Sequence, residues 1–325
     1  MTADLVGLAT YASVFLAMAL VNGIACLGLN LQWGQTGLFN VGVAGFIAIG
    51  AYASAIVTTP LAQAHAGGFA LPIAVGWLAA MLAAGGASAL VGAATLRLRA
   101  DYLAITTFGV AVVVQLVALN AQRLTGGAFG IAFIPRPFEV LASQPLLFAT
   151  ANLVLVATLV AGLFAGLEKL VRSPWGRVLR AVREDERAAA TLGKNANRYR
   201  LQAFALGGAL MGLAGAVQAH LIGFIAPDSY QAGLTFQIWA MLIIGGSGNN
   251  LGALVGAGLV SVIWSVTGLA TGTFFAPDEQ ARAAALRVVA IGVLLSAMLV
   301  LRPRGLLGER VMVSRHLDQK PPGSG

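Results

Sequence analysis

Charge is what this sequence has least of. Asp, Glu, Lys and Arg make up 10% of its 325 residues, against roughly a quarter in a soluble globular chain. An ordinary water-soluble fold is excluded, because too few charged side chains remain to cover its surface. Cysteine occurs once, at Cys26, so there is no internal disulfide and no multi-cysteine metal site. Within its apolar run Cys26 reads as a small core residue. The three histidines, His65, His220 and His316, are too far apart for metal-ligand spacing. His65 falls in a loop and His316 in the tail. His220 ends an apolar run, either as a satisfied interfacial residue or as part of a gate or docking face. Asp101, Asp228 and Asp278 stand at run ends or in loops. A stand-alone secondary transporter couples through ionisable groups inside the membrane, and is disfavoured on that ground. An intramembrane enzyme needs a nucleophile with its base, or metal ligands, within the apolar runs. Neither is there, so no catalytic residue and no metal site are expected.

What the chain has instead is apolar length. Hydrophobic residues make up 58% and gather in runs of about 20, the length that crosses a bilayer. The expected fold is all-α, a polytopic transmembrane helical bundle of about nine spans with broken or half-helices. The spans fall near 5–29, 36–59, 69–96, 102–121, 146–169, 199–222, 234–245, 251–270 and 285–301. The seventh is short enough to be a half-helix. No basic region and no small-residue cleavage site precede the first run, which therefore reads as a retained span.

Basic residues orient the bundle. Nine of the 20 lie between Glu168 and Arg200, and such a loop is held on the cytoplasmic side. Counting outward puts Arg97 and Arg99 inside, and Arg302 and Arg304 as well. The three clusters agree on an N-terminus outside and a C-terminus in the cytoplasm. The segment from Gln122 to Pro145, with its TGG and prolines, then falls outside. Residues 1–312 read as one permease domain, and 313–325, ending KPPGSG, as a disordered cytoplasmic tail. Small residues four apart, Ala44/Ala48, Gly208/Gly212 and Gly252/Gly256, let helices approach closely where lipid supplies no hydrophobic drive.

One segment breaks the apolar pattern: SPWGRVLRAVREDERAAATLGKN, residues 173–195. Ser173 is placed as an N-cap, Pro174 as the first helical residue and Gly193 as the terminator, which predicts one helix over 174–192. On its wheel Trp175, Val178, Leu179, Val182 and Ala189 share a face, with Arg177, Arg180, Glu184 and Arg187 opposite. Glu186 falls within the apolar stripe, where it needs a cation from whatever that face packs against. Three readings compete: a helix on anionic lipid, with arginines reaching headgroups; a docking helix for a soluble partner; a nucleic-acid contact. The acidic run Glu184, Asp185, Glu186 is repelled by anionic lipid and suits a mixed-charge protein surface, and nucleic acid is not expected as a partner.

The same segment resembles the cytoplasmic loop of LivM-type permeases of branched-chain amino acid ABC importers. LGLNLQWGQTGLFNVGVAGFIAIGAYASA (27–55), RLRADYLAITTFG (97–109), LTGGAFGI (124–131), AHLIGFIAPDSY (219–230), IIGGSGNNLGALVGA (243–257) and LRPRGLLG (301–308) resemble further signatures of that family, in order, over nearly the whole chain. The resemblance implies a multi-pass protein of the bacterial inner membrane. It implies a second, LivH-like permease beside it, two cytoplasmic ABC ATPases that bind and hydrolyse the ATP, and a periplasmic substrate-binding protein. The chain itself would hold no cofactor. The loop would be the ATPase-coupling element, carried by Trp175, Gly176, Arg177, Arg180, Arg183, Glu184, Asp185, Glu186, Ala189 and Gly193. Gly193 follows Glu186 at a spacing of seven, where the related loop of ABC permeases has six. Where many members carry a histidine in the first signature, this chain has Asn40-Val41-Gly42-Val43 and no ionisable group. Its N-terminus is shorter than in many relatives by one span, in keeping with an N-terminus outside.

Two glycine-rich polar stretches, Gly34-Gln35-Thr36-Gly37 and Gly245-Gly246-Ser247-Gly248-Asn249-Asn250, interrupt apolar runs. Transporters line paths with such breaks. Gln35, Thr36, Asn40, Gly42, Ser247 and Asn249 are therefore candidates to line or gate a translocation route, against the alternative of tight packing turns on the cytoplasmic side. Among importers, branched-chain or related hydrophobic amino acids lead, with urea, short amides or another amino acid as alternatives.

Overall fold

A computed structural model describes residues 2–60, 66–274 and 305–308, with isolated positions between 282 and 300. Among the described residues six helices are long and apolar enough to cross a membrane, and two shorter apolar ones accompany them. In chain order the helices are α1 (Thr2–Leu29), α2 (Val43–Thr58), α3 (Ile73–Thr95), α4 (Ala100–Asn120), α5 (Gln122–Thr125), α6 (Pro145–Arg172), α7 (Pro174–Glu184), α8 (Glu186–Thr191), α9 (Ala196–Ile222), α10 (Ala232–Gly245) and α11 (Asn250–Phe274). The expected ninth span lies largely outside the described residues, as do His65, Asp278, Arg302, Arg304, His316 and the tail.

The tightest packing is of α9 against α3 and α2, and small residues permit it. A β-carbon on Gly208 would strike the side chain of Ser88, and one on Gly212 that of Ala84. Ala80, Ala84 and Ser88 recur every fourth residue on α3 and are all fully buried. In the α10–α11 hairpin, Gly256 lies against the Met241 carbonyl and Gly245. The spacing of four read from the sequence is thus a helix-packing device in both places.

Two expectations need correction. The second span does not begin at 36. Helix α1 ends in a π-helical turn, Asn30–Gly34, and α2 starts only at Val43. The chain between is non-helical because Gly37 takes φ +70° and the polar side chains there bond elsewhere. The charged segment is not one helix either. Asp185 is extended, at φ −150° and ψ 104°, and its carboxylate accepts from Arg187 N at 2.9 Å and Ala188 N at 3.0 Å. An Asp able to cap a helix start competes with continuing the one before it, so α7 ends and α8 begins there.

The helices run alternately between two ends. One end gathers 34–37, α7, α8, the turn 246–249 and 305–308, where Leu306 N and Leu307 N donate to the carbonyls of Ile244 and Gly245. This basic end carries the nine cations between Glu168 and Arg200. The other end gathers 66–71, 121–144 and 223–231. Here the chain departs from purely helical structure, as strand β1 (Ile131–Ala132) pairs antiparallel with β2 (Phe224–Ile225).

Candidate functional site

At the basic end the two glycine-rich breaks meet. Gln35 Nε2 donates to Gly248 O at 3.0 Å, Gly248 N donates to Asn30 Oδ1 at 2.8 Å, and Asn30 Nδ2 donates to Asn250 Oδ1 at 2.9 Å. Asn250 Nδ2 donates in turn to Glu168 Oε2 at 3.0 Å, and Arg172 donates to the other oxygen of that carboxylate at 2.6 Å. Gly34 approaches the Gly248 backbone so closely that any β-carbon would collide with it. Asn249 caps α11, accepting from Leu251 N at 3.0 Å. Ser247 sits half-buried in the same turn. The Thr36 hydroxyl donates to the Gln32 carbonyl.

The first break also reaches deep. Helix α2 has 16 residues, about 24 Å at helical rise and short of a full crossing. The N–H groups leading into it and in its first turn open inside the bundle. Side chains take them up: Val41 N donates to Thr107 Oγ1 at 3.0 Å, Gly42 N to Asn40 Oδ1 at 2.7 Å and Ala44 N to Thr235 Oγ1 at 3.0 Å. Asn40 Nδ2 donates to Gln32 Oε1 at 2.7 Å, and Gln32 Nε2 to Phe204 O at 2.8 Å. Trp239 Nε1 donates to Asn40 O at 2.9 Å, and its ring packs against Trp33 and Phe39. Asn40 and Gln32 are fully buried and both ends of each amide are used. This is how broken helices stand at membrane depth. A β-carbon on Gly42 would lie 2.5 Å from the Thr107 carbonyl oxygen, so glycine is required there. Sequence reading found Asn40 and Gln35 but missed Thr107, Thr235 and Ser88. Threonine is a quiet signal in an apolar span, since its hydroxyl satisfies itself on its own helix, as Thr107 does on Ala104 O at 3.0 Å.

The charged segment lies against this end. Leu179 joins the main core, and Val182, Ala189 and Ala196 form a small core of their own with Val178. Trp175 Nε1 donates to Gln202 Oε1 at 2.9 Å. Gly176 lets α7 turn against the Val171 carbonyl, where a β-carbon has no room. The Ser173 hydroxyl does not cap α7; it donates back to Leu170 O at 2.6 Å. Gly193 ends α8 at φ +74°. The break at Asp185 takes Glu186 off the predicted apolar stripe and onto the surface, yet it meets its cation: Arg200 Nη1 on α9 lies 2.7 Å from Glu186 Oε2. Arg200 was not among the residues foreseen. Arg183 bridges to the membrane helices, donating from Nη1 to Gly34 O and from Nη2 to Glu184 Oε1, the latter at 2.8 Å. Arg177, Glu184, Asp185, Arg187 and the large apolar Leu192 face outward, while Arg180 is half-buried.

At the opposite end His220 is fully buried. One ring nitrogen bonds Pro135 O at 2.7 Å and the other Ser54 Oγ at 2.9 Å. The carbonyl can only accept, so Nδ1 carries the proton and Nε2 accepts from the serine. Burial, and next the neighbouring Tyr52, push the Tyr230 phenol above its ordinary range. Phe129 and Phe133 stand 86% and 87% exposed on the same surface, an apolar face fit for a protein partner. Among the described residues no three His, Cys, Asp or Glu side chains gather as metal ligands do.

The family model for the branched-chain amino acid transport system permease component matches residues 11–300. The chain is 35% identical over 259 residues to the high-affinity branched-chain amino acid transport system permease protein LivM of Escherichia coli (strain K12), covering 73% of this chain and 59% of the relative. It is 33% identical over 269 residues to LivM of Salmonella typhimurium, covering 75% and 61%. The chain thus spans about three fifths of the length of these two. To a probable branched-chain amino acid transport permease protein LivM of Methanocaldococcus jannaschii it is 27% identical over 335 residues, covering 91% and 93%. No solved structure matches the chain.

Proposed function

The chain belongs to the branched-chain amino acid transport permease family, and on that premise we propose that it is the membrane-spanning subunit of an ATP-driven importer for branched-chain or related hydrophobic amino acids. The observation that carries the proposal is the charged segment 174–191, seated on the basic end and tied to the membrane helices by Arg183, Glu186 and Trp175. Its outer surface, with the adjoining Leu192, offers mixed charge and an exposed leucine to a soluble partner, as a docking surface should. In this reading the basic end is cytoplasmic and about nine spans leave the N-terminus outside, in the inner membrane. A LivH-like permease completes the membrane unit, and two ATPases bind the ATP and dock on the loops of the two permeases, this segment being one of them. A periplasmic binding protein delivers solute to the apolar face around Phe129 and Phe133. Gln35, Thr36, Asn40, Gly42, Ser247 and Asn249 form the inner gate, where the two glycine-rich breaks meet.

The test is co-purification with an ATPase subunit, followed by uptake in proteoliposomes with candidate binding proteins. ATP-dependent leucine uptake is expected. Urea or a short amide moving in its place would keep the machinery and change the solute. Transport by this chain alone, without ATP, overturns the reading.

A further inference from the structure

We propose that the cavity between α1, α10 and α11 is the solute site of this permease, a water-filled chamber that holds a neutral, zwitterionic amino acid above the inner gate. The inference rests on the importer reading and assigns residues to it that the glycine-rich breaks do not include. The cavity measures about 360 Å³ and is open along one side, within the range of roughly 300–1,000 Å³ usual for small-molecule sites. Its polar lining is Tyr11, Asn22, Gln237, Ser261 and Ser265, while Phe15 and Met18 supply an apolar wall.

What separates this cavity from a packing defect is the state of its polar groups. Ser261 is 6% exposed and its Oγ has no hydrogen-bond partner. The side-chain amides of Asn22 and Gln237 make no hydrogen bond among the described residues. Tyr11 and Ser265 bond each other at 2.5 Å across α1 and α11. Polar groups left unpaired at membrane depth are costly, and they persist where they line a water-filled path. Position supports this. Asn22 precedes Asn30 by eight residues and Ser261 follows Asn250 by eleven, which is roughly 12 Å and 16 Å of helix. The cavity therefore stands on the same three helices whose basic ends are knotted together at Gln35, Gly248 and Asn250.

The chemistry selects the solute. A carboxylate can accept from the Ser261 hydroxyl and an amide N–H, an ammonium can donate to the amide oxygens, and a branched apolar side chain can lie on Phe15 and Met18. Among the described residues no charged side chain lines the cavity, so a solute with net charge would meet no counter-charge from them. Neutral amino acids should pass and lysine or glutamate should not.

Ser261→Cys, and separately Gln237→Cys, in the assembled importer test the assignment. A membrane-impermeant, water-soluble methanethiosulfonate should label both, leave the buried Cys26 of the wild type untouched, and lower leucine uptake by about tenfold or more, the loss expected when a bond to a charged group is removed. Failure of both positions to react with it, reaction with unchanged uptake, or a disulfide joining either position to the second permease would overturn the assignment. If the wild-type complex moves no amino acid with ATP, the importer reading itself fails, and the solute-site assignment falls with it whatever the labelling.

Discussion

The basic end and the cavity are both polar regions of an apolar bundle, built on overlapping helices, and they treat their polar groups oppositely. At the basic end Asn30, Gln32, Asn40 and Asn250 are bonded at both ends of their amides or to two partners. In the cavity the side chains of Asn22, Gln237 and Ser261 have none among the described residues. Four amides bonded at both ends fix one geometry, because breaking them leaves several orphans at once; beside them only Gln35 Oε1 is buried without a partner among the described residues of that network. An unbonded set keeps its capacity for something that comes and goes. On this account the first region transmits movement and gates, and the second receives solute.

That contrast can be broken most forcefully at Asn40. Asn40→Leu orphans the Gly42 N–H and Gln32 Oε1, two groups at roughly 1–3 kcal/mol each. Thermal unfolding of the purified subunit should show a loss of about 2–5 kcal/mol; a loss under 1 kcal/mol would mean the network is not structural. Gly212→Val comes next. The collision with Ala84 should cost about 1–3 kcal/mol, read by the same unfolding experiment. Glu186→Ala should be milder in stability, within about 1 kcal/mol for a half-exposed pair, yet should lower uptake per ATP hydrolysed roughly tenfold, with the ATPase still docked. At the small end, Ser261→Ala removes a hydroxyl that bonds nothing. The subunit should melt as the wild type does or slightly higher, while uptake falls. If Ser261→Ala destabilised as Asn40→Leu does, the two regions would not differ in kind.

Much of the fold was legible because a membrane imposes simple rules. Span lengths, the basic middle segment and the small residues four apart follow from hydrocarbon thickness, charge retention and close helix approach. Where reading failed, a local competitor had won. Asp185 looked like one more charge on a helix face; its short carboxylate instead caps a new helix, and Glu186 moved with it. The Ser173 hydroxyl had a carbonyl of the preceding turn within reach and took it. Of the network, Asn40 announced itself by being an amide in an apolar run. Thr107 and Thr235 did not, since threonine needs no partner beyond its own helix. The cavity was harder still: Asn22, Gln237, Ser261 and Ser265 come from three helices that only the fold brings alongside one another.

The central claim is that ATPase movement enters through segment 174–191 and reaches the membrane helices through Arg183 at Gly34. The direct measurement is leucine transported per ATP hydrolysed, in proteoliposomes holding the complete complex with wild-type chain or Arg183→Ala. The account predicts that the variant keeps its bound ATPases and their hydrolysis while the ratio falls roughly tenfold. An unchanged ratio would contradict it and leave the segment a helix pair resting on the membrane surface.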